Sequence, residues 1–266
     1  MGNVAIFIGR QIVGAVIYLY GLLNLLRSVL GAFFTVLSSP AQRVVREITL
    51  KQIIFTAIDA VVIVSFIALG MGGVVIIQTF TQLSKFGAAD LIGKILVIVF
   101  IREFSSVFTA LLIISRSGSA MTTEIGNMKV SQEIDAIESM GIDPVQFLVL
   151  PRTIAVVTAM LCLTVYFNLA AVLGGYIVTL AIGVDIKFFM FLENFFKYLT
   201  IKDIIICSVK SLCFGLVIPL VGCFNGLSVR RSPTEVPAKT TKTVMEAVLI
   251  CILVDALLTA VSYIYL

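Results

Sequence analysis

Residues 53–80 read IIFTAIDAVVIVSFIALGMGGVVIIQTF. Asp59 is the one charge in these 28 residues. A bilayer core is crossed by about 20 apolar residues rising ~1.5 Å each. The stretch therefore reads as a membrane-spanning helix, with length left over for tilt or for a kink at Gly70, Gly72 and Gly73. Four further stretches qualify: Leu91–Ile114, Thr153–Ile182, Ile204–Leu227 and Val244–Leu266. The remainder cannot form a water-soluble domain. Hydrophobic residues make up 60% of the 266-residue chain and charged residues 13%, against about 25% charged in a soluble domain. The expected fold is an all-α integral membrane protein, a single membrane domain over residues 1–266.

Residues 1–40 differ from the five-span bundle at 53–266. Within Val4–Leu37, the residues Arg10, Gly14, Gly21, Asn24 and Ser28 recur at helical spacing, with Arg27 beside them. A small, polar stripe on an apolar helix suits one lying in the membrane interface. An ordinary sixth span is the alternative. With five spans and Pro40–Lys51 cytoplasmic, that side holds Arg43, Arg46, Lys51, Arg116, Lys129, Arg152, Arg230, Arg231, Lys239 and Lys242. The opposite loops hold Lys85, Lys94, Lys187, Lys197 and Lys202. Ten against five places Pro40–Lys51 inside and the C-terminus outside.

Composition removes several chemistries. Without His there is no Ser–His–Asp centre, no His-based zinc site and no histidine switch. Cys162, Cys207, Cys213, Cys223 and Cys251 fall in or beside apolar runs without CxxC spacing, and read as small buried hydrophobes. No catalytic residue, metal site or cofactor is expected. A net charge of +4 without a basic run gives no nucleic-acid footprint. The nearest approach to a phosphate loop, Gly87–Ile95, has one residue too many and ends in Ile where Mg²⁺ needs a hydroxyl. Any ATP chemistry belongs to another chain.

Two features remain as candidates. Asp59, Arg102, Glu103, Lys210 and Asp255 lie inside spans, where ionisable side chains are expensive and functional by default. Structural pairing between helices is the plainer role; a proton relay through carboxylates is the sharper one. Arg102 and Glu103 are neighbours about 100° apart on a helix, so they need not pair with each other. Small residues at Ser117–Ala120 and Gly174-Gly175 mark close helix approaches. Between the second and third spans, Val130, Ile134 and Ile137 line one face of a short helix. Met140 stands at the edge of that face, Ser131 is placed to cap the start, and Gly141 and Asp143-Pro144 end it. Glu133, Asp135 and Glu138 make it acidic, the wrong sign for an anionic inner leaflet, so a protein partner is expected.

That interval, RSGSAMTTEIGNMKVSQEIDAIESMGIDPVQFLVLPR over 116–152, resembles the MlaE-type permeases of Mce-family ABC transporters. The likeness extends upstream to Gly70-Met71, Gln78, Gln82-Leu83-Ser84, Phe86-Gly87 and Arg102-Glu103. Downstream it takes in Gly174-Gly175, Lys210-Ser211, Asn225-Gly226, Ala238–Val244 and Asp255–Thr259. It departs at Arg231–Pro237, where many members carry a Gly-rich run. The resemblance implies a homodimeric permease in the bacterial inner (cytoplasmic) membrane, with an interfacial helix and five spans. The acidic helix would be the coupling helix, docking Val130, Glu133, Ile134, Asp135, Ile137 and Glu138 on a separate ABC ATPase subunit. It implies a phospholipid passed to or from an MCE-domain lipid-binding protein outside, and leaves room for a small cytoplasmic accessory subunit. The outer half of the first span then becomes the expected lipid pocket. Val74, Ile77 and Phe80 would meet acyl chains, Gln78 and Thr81 would reach headgroup atoms, and the Gly70–Gly73 cluster would bring two subunits together. A self-contained proton- or ion-coupled transporter or channel is the alternative function, but no inverted repeat supports it.

Overall fold

The structure, a computed structural model, describes residues 2–37, 42–85, 94–95, 97–181, 188–230 and 232–265. Leu91, most of Gly87–Ile95, Ile182, Arg231 and Leu266 lie outside the described residues. Every regular element described is helical. In chain order they are α1 (Gly2–Leu37), α2 (Gln42–Ile53), α3 (Asp59–Lys85), α4 (Ser105–Ile113), α5 (Ser119–Val130), α6 (Glu133–Ser139), α7 (Leu150–Ala181), α8 (Phe188–Tyr198), α9 (Ile201–Leu227) and α10 (Glu235–Tyr265). π-helical turns at Ile54–Ile58, Val97–Phe104, Ile114–Gly118 and Val145–Val149 join or precede these elements.

Among the described residues, six helical stretches are long and apolar enough to cross a membrane: Val16–Val36, Val45–Gln82, Val97–Val130, Val145–Ala181, Ile201–Leu227 and Glu235–Ile264. Several outrun the expected spans. The stretch expected to end at Ile114 continues to Val130, so Ser117–Ala120 sits within a helix, with Ser117 and Gly118 buried, and not in a loop beyond it. The last begins at Glu235, nine residues before Val244. Pro237 is tolerated there because first-turn N–H groups lack helical partners anyway. Helix α9 starts with a capping box in which Thr200 and Asp203 satisfy each other's backbone N–H groups.

Helix α3 runs as one continuous helix through Gly70, Gly72 and Gly73. Two of them serve packing inside the chain. A Cβ on Gly72 would collide with the Ala171 carbonyl of α7, and one on Gly73 would meet the Val178 side chain at 2.6 Å. From the other side, a Cβ on Gly174 would collide with the Leu69 backbone. Gly70 alone faces open space. The small residues that the sequence assigned to a subunit contact are therefore largely consumed by the α3–α7 contact. Gly174→Val should lower the thermal unfolding midpoint of the solubilised protein. The strain is about 3 kcal/mol, the upper end for overpacking, because backbone cannot yield. Gly70→Val should leave the midpoint unchanged.

The end of α5, all of α6, the start of α7, the end of α9 and the start of α10 gather at one end of the bundle. Gly226 lies against Ile125, and Gly126 against Val229 and Val236. Helix α1 crosses this same end. Tyr18 meets Phe224 edge-on at 5.2 Å, Gly21 abuts the same ring, and Phe33 and Val36 share a cavity with Val45, Thr49 and Leu150. Gly14, Asn24, Arg27 and Ser28 remain exposed. By length and composition Val16–Val36 also suffices as a span.

Candidate functional site

The intramembrane charges converge as ion pairs between helices. Lys210 of α9 is wholly buried, and its Nζ donates to Glu103 Oε2 (2.8 Å), Thr259 Oγ1 (2.8 Å) and the Arg102 carbonyl (2.9 Å). It also lies 2.9 Å from Asp255 Oδ1. Thr259 in turn donates to Glu103 at 3.3 Å. Arg102 turns away from its neighbour and pairs with Asp203, whose second oxygen caps α9 through the Thr200 N–H. One cluster therefore ties the π-turn before α4 to α9 and α10. Asp59 stands apart, paired at 2.8 Å with Arg116, whose guanidinium also lies 5.0 Å over the Phe55 ring.

Asp203 is a member that the intramembrane list missed. It sits just ahead of the expected Ile204 start, and Thr200-x-x-Asp203, a capping-box spacing, is the signal that could have placed it in a first helical turn. Every cluster carboxylate faces a cation, so proton transfer along this path would first have to break ion pairs. A cavity of about 400 Å³ adjoins the cluster, with Glu103 and Asp255 at its polar edge and Phe104, Leu111, Phe214 and Val248 among its apolar walls.

The short helix of the 116–152 interval exists as α6, but its details differ from expectation. Ser131 ends α5 instead of capping α6, and Gln132 takes the left-handed conformation (φ 60°) to turn the chain. Gly141 (φ 75°) ends the helix region, as its residue type allows. Ile134 is only 1% exposed, held within its own chain, and Val130 and Ile137 are half-buried. Asp135 pairs with Lys129 at 2.7 Å. Buried Arg152, at the start of α7, binds Glu124 and the Leu148 carbonyl, both at 2.8 Å. The apolar stripe therefore fastens α6 to the bundle. What α6 presents outward is Glu133, Glu138, Met140 (67% exposed) and, just beyond, Ile142.

On α3, Val74, Ile77, Gln78 and Thr81 form an exposed face, while Phe80 is half-buried. Gly72 and Gly73 point the other way, into α7. This face is not part of the charge cluster.

The family described as Permease MlaE matches residues 49–261, from the end of α2 through nearly all of α10. This chain belongs to the MlaE permease family. Among its relatives is the intermembrane phospholipid transport system permease protein MlaE of Haemophilus influenzae, 29% identical over 87% of this chain and 88% of that protein. A probable ABC transporter permease protein of Synechocystis is 31% identical over 78% of each chain. One of Rickettsia typhi is 28% identical over 82% of this chain and 83% of its own. The chain is thus a multi-pass membrane protein whose relatives are named as transport permeases, not as enzymes. The matched region contains the charge cluster, α6 and the exposed α3 face, and leaves out α1.

Proposed function

We propose that this MlaE permease is the membrane subunit of an ABC transporter that moves phospholipid between the bacterial inner membrane and an MCE-domain lipid-binding protein. A separate ATPase subunit drives it. The observation that carries this reading is α6, a short acidic helix that the chain holds rigidly by Ile134 and the Asp135–Lys129 pair. It carries Glu133, Glu138 and Met140 outward at the end where basic residues concentrate. A helix held in this way transmits a push from a docked partner to both flanking spans, since α5 runs into the second and α7 is the third. The end bearing α6 is then cytoplasmic.

The chain works as a homodimer in which the exposed α3 face of each subunit borders an apolar cleft. Val74, Ile77 and Phe80 line it, and Gln78 and Thr81 serve the headgroup. A cleft with few fixed charges suits acyl chains better than ions or sugars. The charge cluster acts as a fastening between moving helices. Photo-crosslinkers at Ile77 and Gln78 should capture phospholipid. Labelling should be much weaker from Ile205, an exposed position on α9. Equal labelling at all three positions would mean ordinary bilayer contact and would remove the cleft from the mechanism.

A further inference from the structure

A second amphipathic groove lies at the α6 end, where α1 crosses α10. It encloses about 540 Å³ between Gly14, Tyr18 and Leu19 on one side and Lys242, Glu246, Leu249 and Leu253 on the other. Its mouth is polar. Lys242 is 46% exposed, with its Nζ 5.5 Å above the Tyr18 ring and a long 3.3 Å pair to Glu246. Glu246 gives its other oxygen to Asn225 Nδ2 at 2.8 Å. An ammonium has three donors, so this pair leaves capacity on Lys242 for an outside acceptor. The buried Tyr18 hydroxyl faces inward, toward Glu246 and Asn225. Lys239, about one turn earlier on α10, donates to Ser228 Oγ at 2.8 Å.

We infer that this groove holds one phospholipid of the adjoining leaflet, with its phosphate on Lys242 and an acyl chain along Leu249 and Leu253. Charge selects the occupant: a half-exposed ammonium with spare donors receives a phosphate oxygen better than it receives an apolar helix from another protein. Length agrees. From Lys242 to Leu253 the helix rises about 16 Å, close to half of the ~30 Å hydrocarbon core. The headgroup therefore sits at the interface and the chain reaches the bilayer middle. Anionic lipids gain most, because each basic residue near a membrane surface adds about fivefold in attraction for them. The site is separate from the α3 face and needs no ATPase, so it stands or falls independently of the transport reading.

Native mass spectrometry of the full-length chain, titrated with phosphatidylglycerol and with phosphatidylcholine, tests it. The wild type should retain phosphatidylglycerol at least about fivefold better. Lys242→Gln should remove that preference, while Lys242→Arg should keep most of it. Leu249→Trp, a change at an exposed position that fills the groove with the charge intact, should lower retention of both lipids. Lys51→Gln, at a basic residue of the same end outside the groove, should change nothing. Unchanged phosphatidylglycerol retention in Lys242→Gln and Leu249→Trp would overturn the inference. So would loss of another membrane protein from the purified Leu249→Trp sample with lipid retention unaltered, since the groove would then hold a partner's helix.

Discussion

Lys210→Met should abolish recovery of folded protein. The substitution leaves Glu103 and Asp255 facing each other across the space of a wholly buried ammonium, with Thr259 and the Arg102 carbonyl also losing their donor. Breaking a buried pair by removing one partner costs about 3–5 kcal/mol, against a total stability of about 5–15 kcal/mol. Two carboxylates lose their partner at once, so the upper end applies. The yield of monodisperse protein after extraction, and its thermal midpoint, measure this directly. The triple variant Lys210→Met, Glu103→Gln, Asp255→Asn removes charge from all three and should recover much of the lost yield. A single variant as stable as the wild type would show that the cluster fastens nothing.

Met140→Asp should uncouple the permease from its ATPase without unfolding it. Met140 is 67% exposed at the end of α6 and touches little of its own chain, so the substitution spares the bundle. Truncating an apolar anchor in a desolvated groove costs about 2 kcal/mol, roughly 30-fold in affinity. A charge there should cost at least as much. Glu133→Gln and Glu138→Gln, at rim positions, should change association rate and salt dependence more than final affinity. Ile134→Asp should also abolish ATPase association, by a different route. It places a charge where the chain leaves 1% exposure, so α6 comes loose and the thermal midpoint falls with it. Co-purification of the ATPase together with the melting curve separates the two. Normal ATPase binding by Met140→Asp would mean that α6 does not dock through this tip.

Class and architecture were legible because membrane helices obey a local rule: about 20 apolar residues, read without knowing any partner. Boundaries were less so. Arg116–Val130 is polar enough to resemble a loop, yet it continues the second span as helix, because Thr122 finds partners in Gly222 and Thr243 on the neighbouring helices. The ionisable residues were visible one by one. That Lys210 collects both Glu103 and Asp255, while Arg102 takes Asp203, depends on which helices meet, and spacing does not encode that. The stripe Val130, Ile134, Ile137 was read as one helical face and given to the partner, but Val130 ends α5 on the far side of the Gln132 turn, and Ile134 is buried within its own chain. A sequence shows that a face is apolar, not whether its own chain or another covers it. The glycines at 72 and 73 carried the same ambiguity, settled here by Gly174 and Ala171 of the same subunit.

The central claim is that ATP hydrolysed on another subunit moves lipid through this chain by way of α6. The direct measurement reconstitutes the tagged permease, with whatever co-purifies from native membranes, into liposomes and follows phospholipid transfer to a soluble acceptor. An ABC ATPase should co-purify, transfer should require ATP, and both should vanish with Met140→Asp. Transfer by the isolated chain, driven by a pH gradient without ATP, would contradict the claim.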